Sequence, residues 1–222
     1  MKAFEDIFAL ACHRHGGEAA VRARLPEVAS GATLRKRTDA WYLSTMMRRI
    51  FRAGLSHDMV DKKWPAFEDA FFGFEPEKLV LMSDHMLDER LQDTRLIRHA
   101  GKMQAIRFNA QMVREISREH GGFGRFLSEW PDQDIVGLWL VLGRKGKQLG
   151  GNSAPAFLRM AGRDTWYPTD DVRAGLIANG VIDRALSSQR DRRAAQAAIN
   201  TWQAESGLPQ AHVSRILSMT VG

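Results

Sequence analysis

Cysteine is almost missing from this chain: Cys12 is the only one in 222 residues. One thiol cannot form an intrachain disulfide, and it rules out zinc sites built from several thiolates. Long apolar runs are absent too. No stretch approaches the ~18 apolar residues that suggest a membrane span. The N-terminus, Met1-Lys2-Ala3-Phe4-Glu5-Asp6, carries acids where a secretory signal has its apolar core. Sustained alternation at period two, the pattern of half-buried strands, does not occur. Disulfide scaffolds, membrane proteins and β-sandwiches are thereby set aside. A single cysteine beside ten methionines suits a reducing compartment, and a cytoplasmic protein is expected.

What is present is helical spacing and a moderate excess of positive charge. Phe4, Ile7, Phe8, Leu10 and Ala11 recur at i, i+3, i+4 intervals, as do Leu43, Met46, Met47, Ile50 and Phe51, then Met103, Ile106, Phe108, Met112, Val113 and Ile116. Gly16-Gly17, Gly54, Gly73, Gly121-Gly122 and Gly180 mark helix ends. Ser83, Asp132 or Asp134, and Asp170 mark starts. Ser30 to Arg37 reads as a flexible connection. The expected fold is all-α with two lobes: one made of 1–37 and 143–222, the other a middle lobe of 38–142. The terminal part includes helices from Ala185 to Gly222. Thirty-two basic residues against 26 acidic ones give a net charge of +6 and a pI near 9.8. An anionic partner fits, but the acids are interspersed, so any nucleic-acid face must be local.

The stretch Gln148 to Asp171 concentrates the chemistry. Lys145-Gly146-Lys147-Gln148-Leu149-Gly150-Gly151-Asn152-Ser153 places glycines and two lysines ahead of a short helix that contains Pro155 and ends at Gly162. Glycines permit close backbone approach, and the unpaired N–H groups of a first helical turn attract anions. Alone, such a turn is as readily a plain connector. Tyr167-Pro168-Thr169-Asp170-Asp171 then opens another helix, with Asp170 readable as a simple N-cap or as a functional acid. Trp166-Tyr167 and Trp41-Tyr42 offer π surfaces on which a planar group could stack, although core packing is the default for a tryptophan. His13 and His15 with Cys12 look like a metal-site fragment but lack a fourth ligand, and no metal is expected.

At these residues the sequence resembles the helix-hairpin-helix DNA glycosylase superfamily, through Leu149-Gly150-Gly151-Asn152-Ser153-Ala154 and Pro168-Thr169-Asp170. Within it, Ala53-Gly54-Leu55-Ser56, Phe67 to Phe74, Glu75-Pro76-Glu77-Lys78, Leu96-Ile97-Arg98-His99-Ala100-Gly101-Lys102-Met103-Gln104-Ala105-Ile106, Asn109-Ala110 and Gly122-Phe123 resemble the 3-methyladenine DNA glycosylase I family. The resemblance spans roughly residues 40 to 180. It implies a two-lobed helix-hairpin-helix glycosylase fold and a monomeric, bacterial, nucleoid-associated enzyme. The implied activity is base excision repair: hydrolysis of the N-glycosidic bond of a damaged, alkylated base flipped out of double-stranded DNA.

Roles follow residue by residue. The resemblance gives Asp170, or Asp171 if the loop is one residue longer, the place of the catalytic carboxylate. Gly150, Gly151, Asn152 and Ser153 with Lys145 and Lys147 become the DNA-backbone grip, and Leu55 the wedge that fills the vacated stack. Arg49, His57, Trp41, Tyr42, Trp166 and Tyr167 become base-pocket candidates. Arg98, Lys102 and Arg107 read as a solvated helix face or internal ion pairs. Three departures stand out. The family's zinc clasp needs two cysteines, so zinc is not expected. Arg49 stands where the family reads the base with a glutamate, which disfavours a cationic methylated purine, and His57 replaces a tryptophan. Asn152 occupies the place of the lysine that lyase-capable members carry, implying base removal without strand cutting. The resemblance also admits a monovalent cation at the hairpin carbonyls. Two other readings stay open: a catalytically degenerate DNA-binding protein, and a helical interaction protein without DNA affinity. An acid retained at Asp170 favours the enzyme.

Overall fold

The computed structural model describes residues 1–183, 186 and 188–221. Among them all regular structure is helical. In chain order the helices are α1 (Phe4–His15), α2 (Glu18–Arg22), α3 (Gly31–Lys36), α4 (Asp39–Arg52), α5 (His57–Ala70), α6 (Pro76–Leu79), α7 (Asp84–Gln92), α8 (Ala100–His120), α9 (Phe123–Glu129), α10 (Ile135–Lys145), α11 (Ser153–Met160), α12 (Asp170–Ala178), α13 (Gln189–Ser206) and α14 (Gln210–Ser218). Ala185 and Gly222, the ends assigned to the C-terminal helices, lie outside the described residues. No described helix is long and apolar enough to cross a membrane.

Local chemistry explains most boundaries. The hydroxyls of Thr38, Ser56, Ser83 and Thr169 accept hydrogen bonds from backbone N–H groups of the following first turn, relieving donors that the helix itself cannot satisfy. Gly16 and Gly121 end α1 and α8 in the left-handed conformation. One expectation fails here. The segment from Ser30 to Arg37 is not a flexible connection: Ser30 caps α3, whose Leu34 is 3 % exposed. The single apolar residue at Leu34 gave too little periodicity to reveal a six-residue helix. Its carbonyl accepts from the Tyr42 hydroxyl at 2.7 Å. A Cβ at Gly124 on α9 would sit 2.2 Å from that same carbonyl oxygen, so glycine is what lets α9 approach α3.

The chain forms two compact units. The first comprises 1–29, 131–138 and 162–222, the second 30–130 and 139–161. The sequence-based boundaries at 37/38 and 142/143 therefore differ: the hairpin and α11 belong with the middle helices. The reason is packing, since α11 lies against α4 and buries Phe157 and Leu158 completely.

In the first unit α1, α12, α13 and α14 pack around Ile7, Leu176, Ile199, Trp202 and Leu217. The carboxylate of Asp164 accepts from the backbone N–H of Gln210 at 3.0 Å and Ala211 at 2.8 Å, capping α14. In the second unit α4 and α8 form the spine. Phe51, Trp64, Phe67, Phe71 and Phe74 stack beside it, Trp64 and Phe67 with ring centroids 5.0 Å apart, in aromatic geometries that add to area burial.

Candidate functional site

The hairpin is built into the second unit. Leu149 is 1 % exposed and acts as its anchor, while Gly150, Gly151 and Asn152 face solvent. Gln148 and Gly151 take positive φ, 66° and 58°, and the carbonyl of Gly150 accepts from the Ser153 N–H at 3.1 Å. Pro155 lies in the first turn of α11, where its missing N–H costs nothing. A residue given no role in the sequence holds the loop that enters the hairpin. The fully buried Asn109 of α8 accepts from the Lys147 N–H at 2.8 Å and donates to the Lys147 carbonyl at 3.0 Å. This two-way clasp fixes the loop against α8. The Asn109-Ala110 pair was visible in the sequence, but nothing there showed what it would hold. Lys145 is exposed at the end of α10, and Lys147 is half-buried, its ammonium 4.5 Å from the Phe108 ring centroid.

The wedge candidate Leu55 is half-buried. Its bend turns on Gly54 with φ 75°, and the Leu55 N–H donates to the Arg52 carbonyl at 3.3 Å. Lys102 reaches the same bend. It is 6 % exposed and donates to the carbonyls of Phe51 at 3.2 Å and Ala53 at 2.6 Å. It is neither a solvated-face residue nor an ion-pair partner. It satisfies the last carbonyls of α4, which a helix C-terminus leaves without partners. Burial, reinforced by the neighbouring Arg49 charge, pushes the Lys102 ammonium below its usual range. Arg49 itself is half-buried, and its Nη1 is buried without a hydrogen-bond partner among the described residues. A further device escaped the sequence reading. Asp61 on α5 takes Arg48 at 2.8 Å and also pairs with Arg52, and these two guanidiniums hold its carboxyl down at about 2. This fixes the face of α4 that precedes the bend. Of the other basic residues in the family-like string, Arg107 is ion-paired with Asp84 at 2.7 Å, and Arg98 is exposed.

The six base-pocket candidates separate. Tyr42 is fully buried with its hydroxyl bonded to Leu34, and desolvation pushes its pKa up to about 12. Trp166 is also fully buried, its Nε1 donating to Gln196 at 3.0 Å within the first unit. Both are core residues, and the pocket role assigned to them is withdrawn: their one polar atom has an internal partner and their rings no free face. Trp41 is 37 % exposed, with the Arg37 guanidinium 4.2 Å from its ring centroid. It lines a cavity of about 500 Å³ with Ser44, Thr45, Arg48, Glu68 and Met160. His57 is exposed at the start of α5, and Tyr167 is half-buried.

The carboxylates belong to the first unit. Thr169, not Asp170, caps α12, accepting from the Val172 N–H at 3.2 Å. The capping role that was one of two readings of Asp170 is thus filled by the Thr169 β-hydroxyl. Asp170 is 88 % exposed and pairs with Arg173 one turn along, and Asp171 is exposed as well. The histidine cluster is spoken for in part: His15 engages the Met219 carbonyl and Arg24 through its two ring nitrogens.

Comparison with known proteins bears on the family and the fold. Residues 35–139 match the family model for methyladenine glycosylase. DNA-3-methyladenine glycosylase of Haemophilus influenzae and DNA-3-methyladenine glycosylase 1 of Escherichia coli are each 34 % identical over 76 residues, covering 34 % of this chain and 41 % of theirs. The match thus spans less than half the length of those relatives. Among solved structures, 3-methyladenine DNA glycosylase I from Staphylococcus aureus aligns with a TM-score of 0.51 at 25 % identity, over 56 % of this chain and 77 % of that one. A variant of 3-methyladenine DNA glycosylase I bound to 3-methyladenine aligns with a TM-score of 0.51 at 25 % identity, over 68 % and 88 %. In sequence across residues 35–139, and in its all-helical fold, this chain resembles the methyladenine glycosylases.

Proposed function

We propose that the chain is a monofunctional DNA base-excision glycosylase that hydrolyses the N-glycosidic bond of an alkylated base flipped out of duplex DNA, acting as a monomer. The observation that carries this reading is the clasped, solvent-facing hairpin in the same unit as residues 35–130 of the segment that matches the methyladenine glycosylase model. Gly150, Gly151 and Asn152 offer backbone N–H groups to a phosphate, the Ser153 hydroxyl stands beside them, and Lys145 and Lys147 add charge. Extruding the nucleotide costs a few kcal/mol, and Leu55 at the Lys102-supported bend fills the gap. Departure of the base leaves positive charge on the sugar. Asp170, or Asp171 beside it, stabilises that charge and orients the attacking water. The ion pair with Arg173 is exposed and worth less than ~1 kcal/mol, so it yields readily to a stronger partner.

Arg49 narrows the substrate. A half-buried guanidinium with an unpartnered nitrogen, beside a second cation, favours a neutral alkylated base presenting a carbonyl-type acceptor over a cationic one. Asn152 in place of a lysine supports hydrolysis without strand cutting. One observation favours a second reading, a catalytically degenerate DNA-binding protein: the Asp170 carboxylate already has a partner in Arg173. A panel of duplexes, each with one defined lesion, scored for abasic-site formation, separates the two. The enzyme reading expects excision of at least one lesion by the wild type and none by Asp170→Asn. A wild type that binds duplex DNA yet leaves every lesion intact establishes the second reading instead.

A further inference from the structure

Phe108 breaks the apolar face of α8. Met103, Ile106, Met112, Val113 and Ile116 are buried as the helical spacing requires, whereas Phe108 is 59 % exposed. A single exposed phenylalanine is ordinary. Three further facts set this one apart. The next residue is Asn109, whose clasp on Lys147 fixes the hairpin relative to this turn of α8. The cation resting on the ring comes from the hairpin itself, with the Lys147 Nζ 4.5 Å from the ring centroid. The ring also lines a shallow recess of about 280 Å³ with Val80, Arg107 and Gln111, and there Arg107 is already committed to Asp84 and to the Met82 carbonyl. Lys147 is therefore the cation free to exchange its contact. An exposed cation–π contact is weak beside a charge-assisted hydrogen bond to phosphate.

We propose that Phe108 is a second apolar DNA contact, packing against the deoxyribose of the strand held by the hairpin, and that Lys147 covers the ring until a phosphate takes its ammonium. The proposal rests on the reading of the hairpin as a backbone grip. It adds an aromatic platform beside basic groups, the combination that single strands and exposed sugars use. Because the contact is apolar it releases no counterion, and its contribution must be independent of salt.

The test is fluorescence anisotropy with a labelled undamaged duplex across a salt series, using wild type, Phe108→Ala, Phe108→Leu and Lys147→Met. Phe108→Ala is expected to weaken binding ~10-fold by the same factor at every salt concentration, and Phe108→Leu to restore most of it. Lys147→Met, which keeps an apolar stem, is expected to flatten the salt dependence by about one ion. Phe108→Ala binding like wild type overturns the proposal. So does a loss that shrinks with added salt as the Lys147→Met loss does, because the ring then merely positions the ammonium. A wild type without salt-dependent duplex affinity overturns the hairpin reading, and this proposal with it.

Discussion

The hairpin and the carboxylate segment are held in opposite ways. The hairpin is gripped from beneath: Leu149 is buried, Asn109 fixes Lys147 from both sides, and Gln148 and Gly150 to Asn152 stand in water. The carboxylate segment is gripped from beside. Thr169 caps α12 and buried Pro168 fixes its approach, while Asp170 and Asp171 project into solvent, Asp170 paired with Arg173 on the same helix. The contrast follows from what each must supply. Backbone donors bind an anion only if their directions are set beforehand, whereas an exposed carboxylate can exchange a weak surface ion pair for another partner.

Four substitutions break or sharpen that contrast. The largest effect is expected from Asp170→Asn, which lowers single-turnover excision at least ~10²-fold and leaves duplex affinity within about twofold, since the side chain grips no backbone. If Asp171→Asn produces the loss instead, the role passes to its neighbour and the contrast survives. Next comes Asn109→Ala. It removes both hydrogen bonds to the Lys147 backbone and the amide contact to the Met47 sulfur, so unfolding should be easier by about 2 kcal/mol in urea melts, with duplex affinity falling ~10-fold as the hairpin loosens. Excision per bound duplex should change little. Arg49→Glu should shift the ratio of excision rates ~10-fold towards a cationic methylated purine over a neutral lesion, leaving both hairpin and carboxylate untouched. Competing duplexes in one reaction read that ratio directly.

The smallest effect belongs to Asp61→Asn. In the native state Arg48 and Arg52 hold Asp61 at about 2 against an ordinary value of 3.8. The depressed pKa means that its stabilisation is complete above pH 3.8 and is lost as pH falls towards 2. At neutral pH the substitution should cost about 1 kcal/mol, the upper end for a pair with partial solvent exposure. The gap between wild type and variant should narrow in acid melts as pH falls from 3.8 through about 2. A gap undiminished at about pH 2 would show that the carboxylate acts through something other than its charge.

Much of this was legible in advance because helices announce themselves. The spacing in α1, α4 and α8 gave the fold class, and Gly16, Gly121 and Ser83 gave boundaries, since each rests on chemistry local to the chain. The hairpin was legible for the same reason. The misreadings were tertiary. Tyr42 and Trp166 look like stacking surfaces until Leu34 and Gln196 claim their polar atoms. Lys102 looks solvated until the end of α4 folds over it. Phe108 looked like part of a buried stripe. Which unit takes the hairpin depended on α11 meeting α4, a contact between residues far apart in sequence. Asp170 looked like the cap because acids often are, and Thr169 beside it does the job with a hydroxyl.

The central claim is that one DNA molecule meets both the hairpin and the acids. Hydrogen–deuterium exchange, with and without a duplex carrying an uncleavable abasic analogue, tests it most directly. The account predicts slowed exchange on DNA addition at Gly150 to Ala154 and, in the same sample, at Thr169 to Val172. Protection of the hairpin alone, with the Thr169 to Val172 amides unchanged, would contradict it.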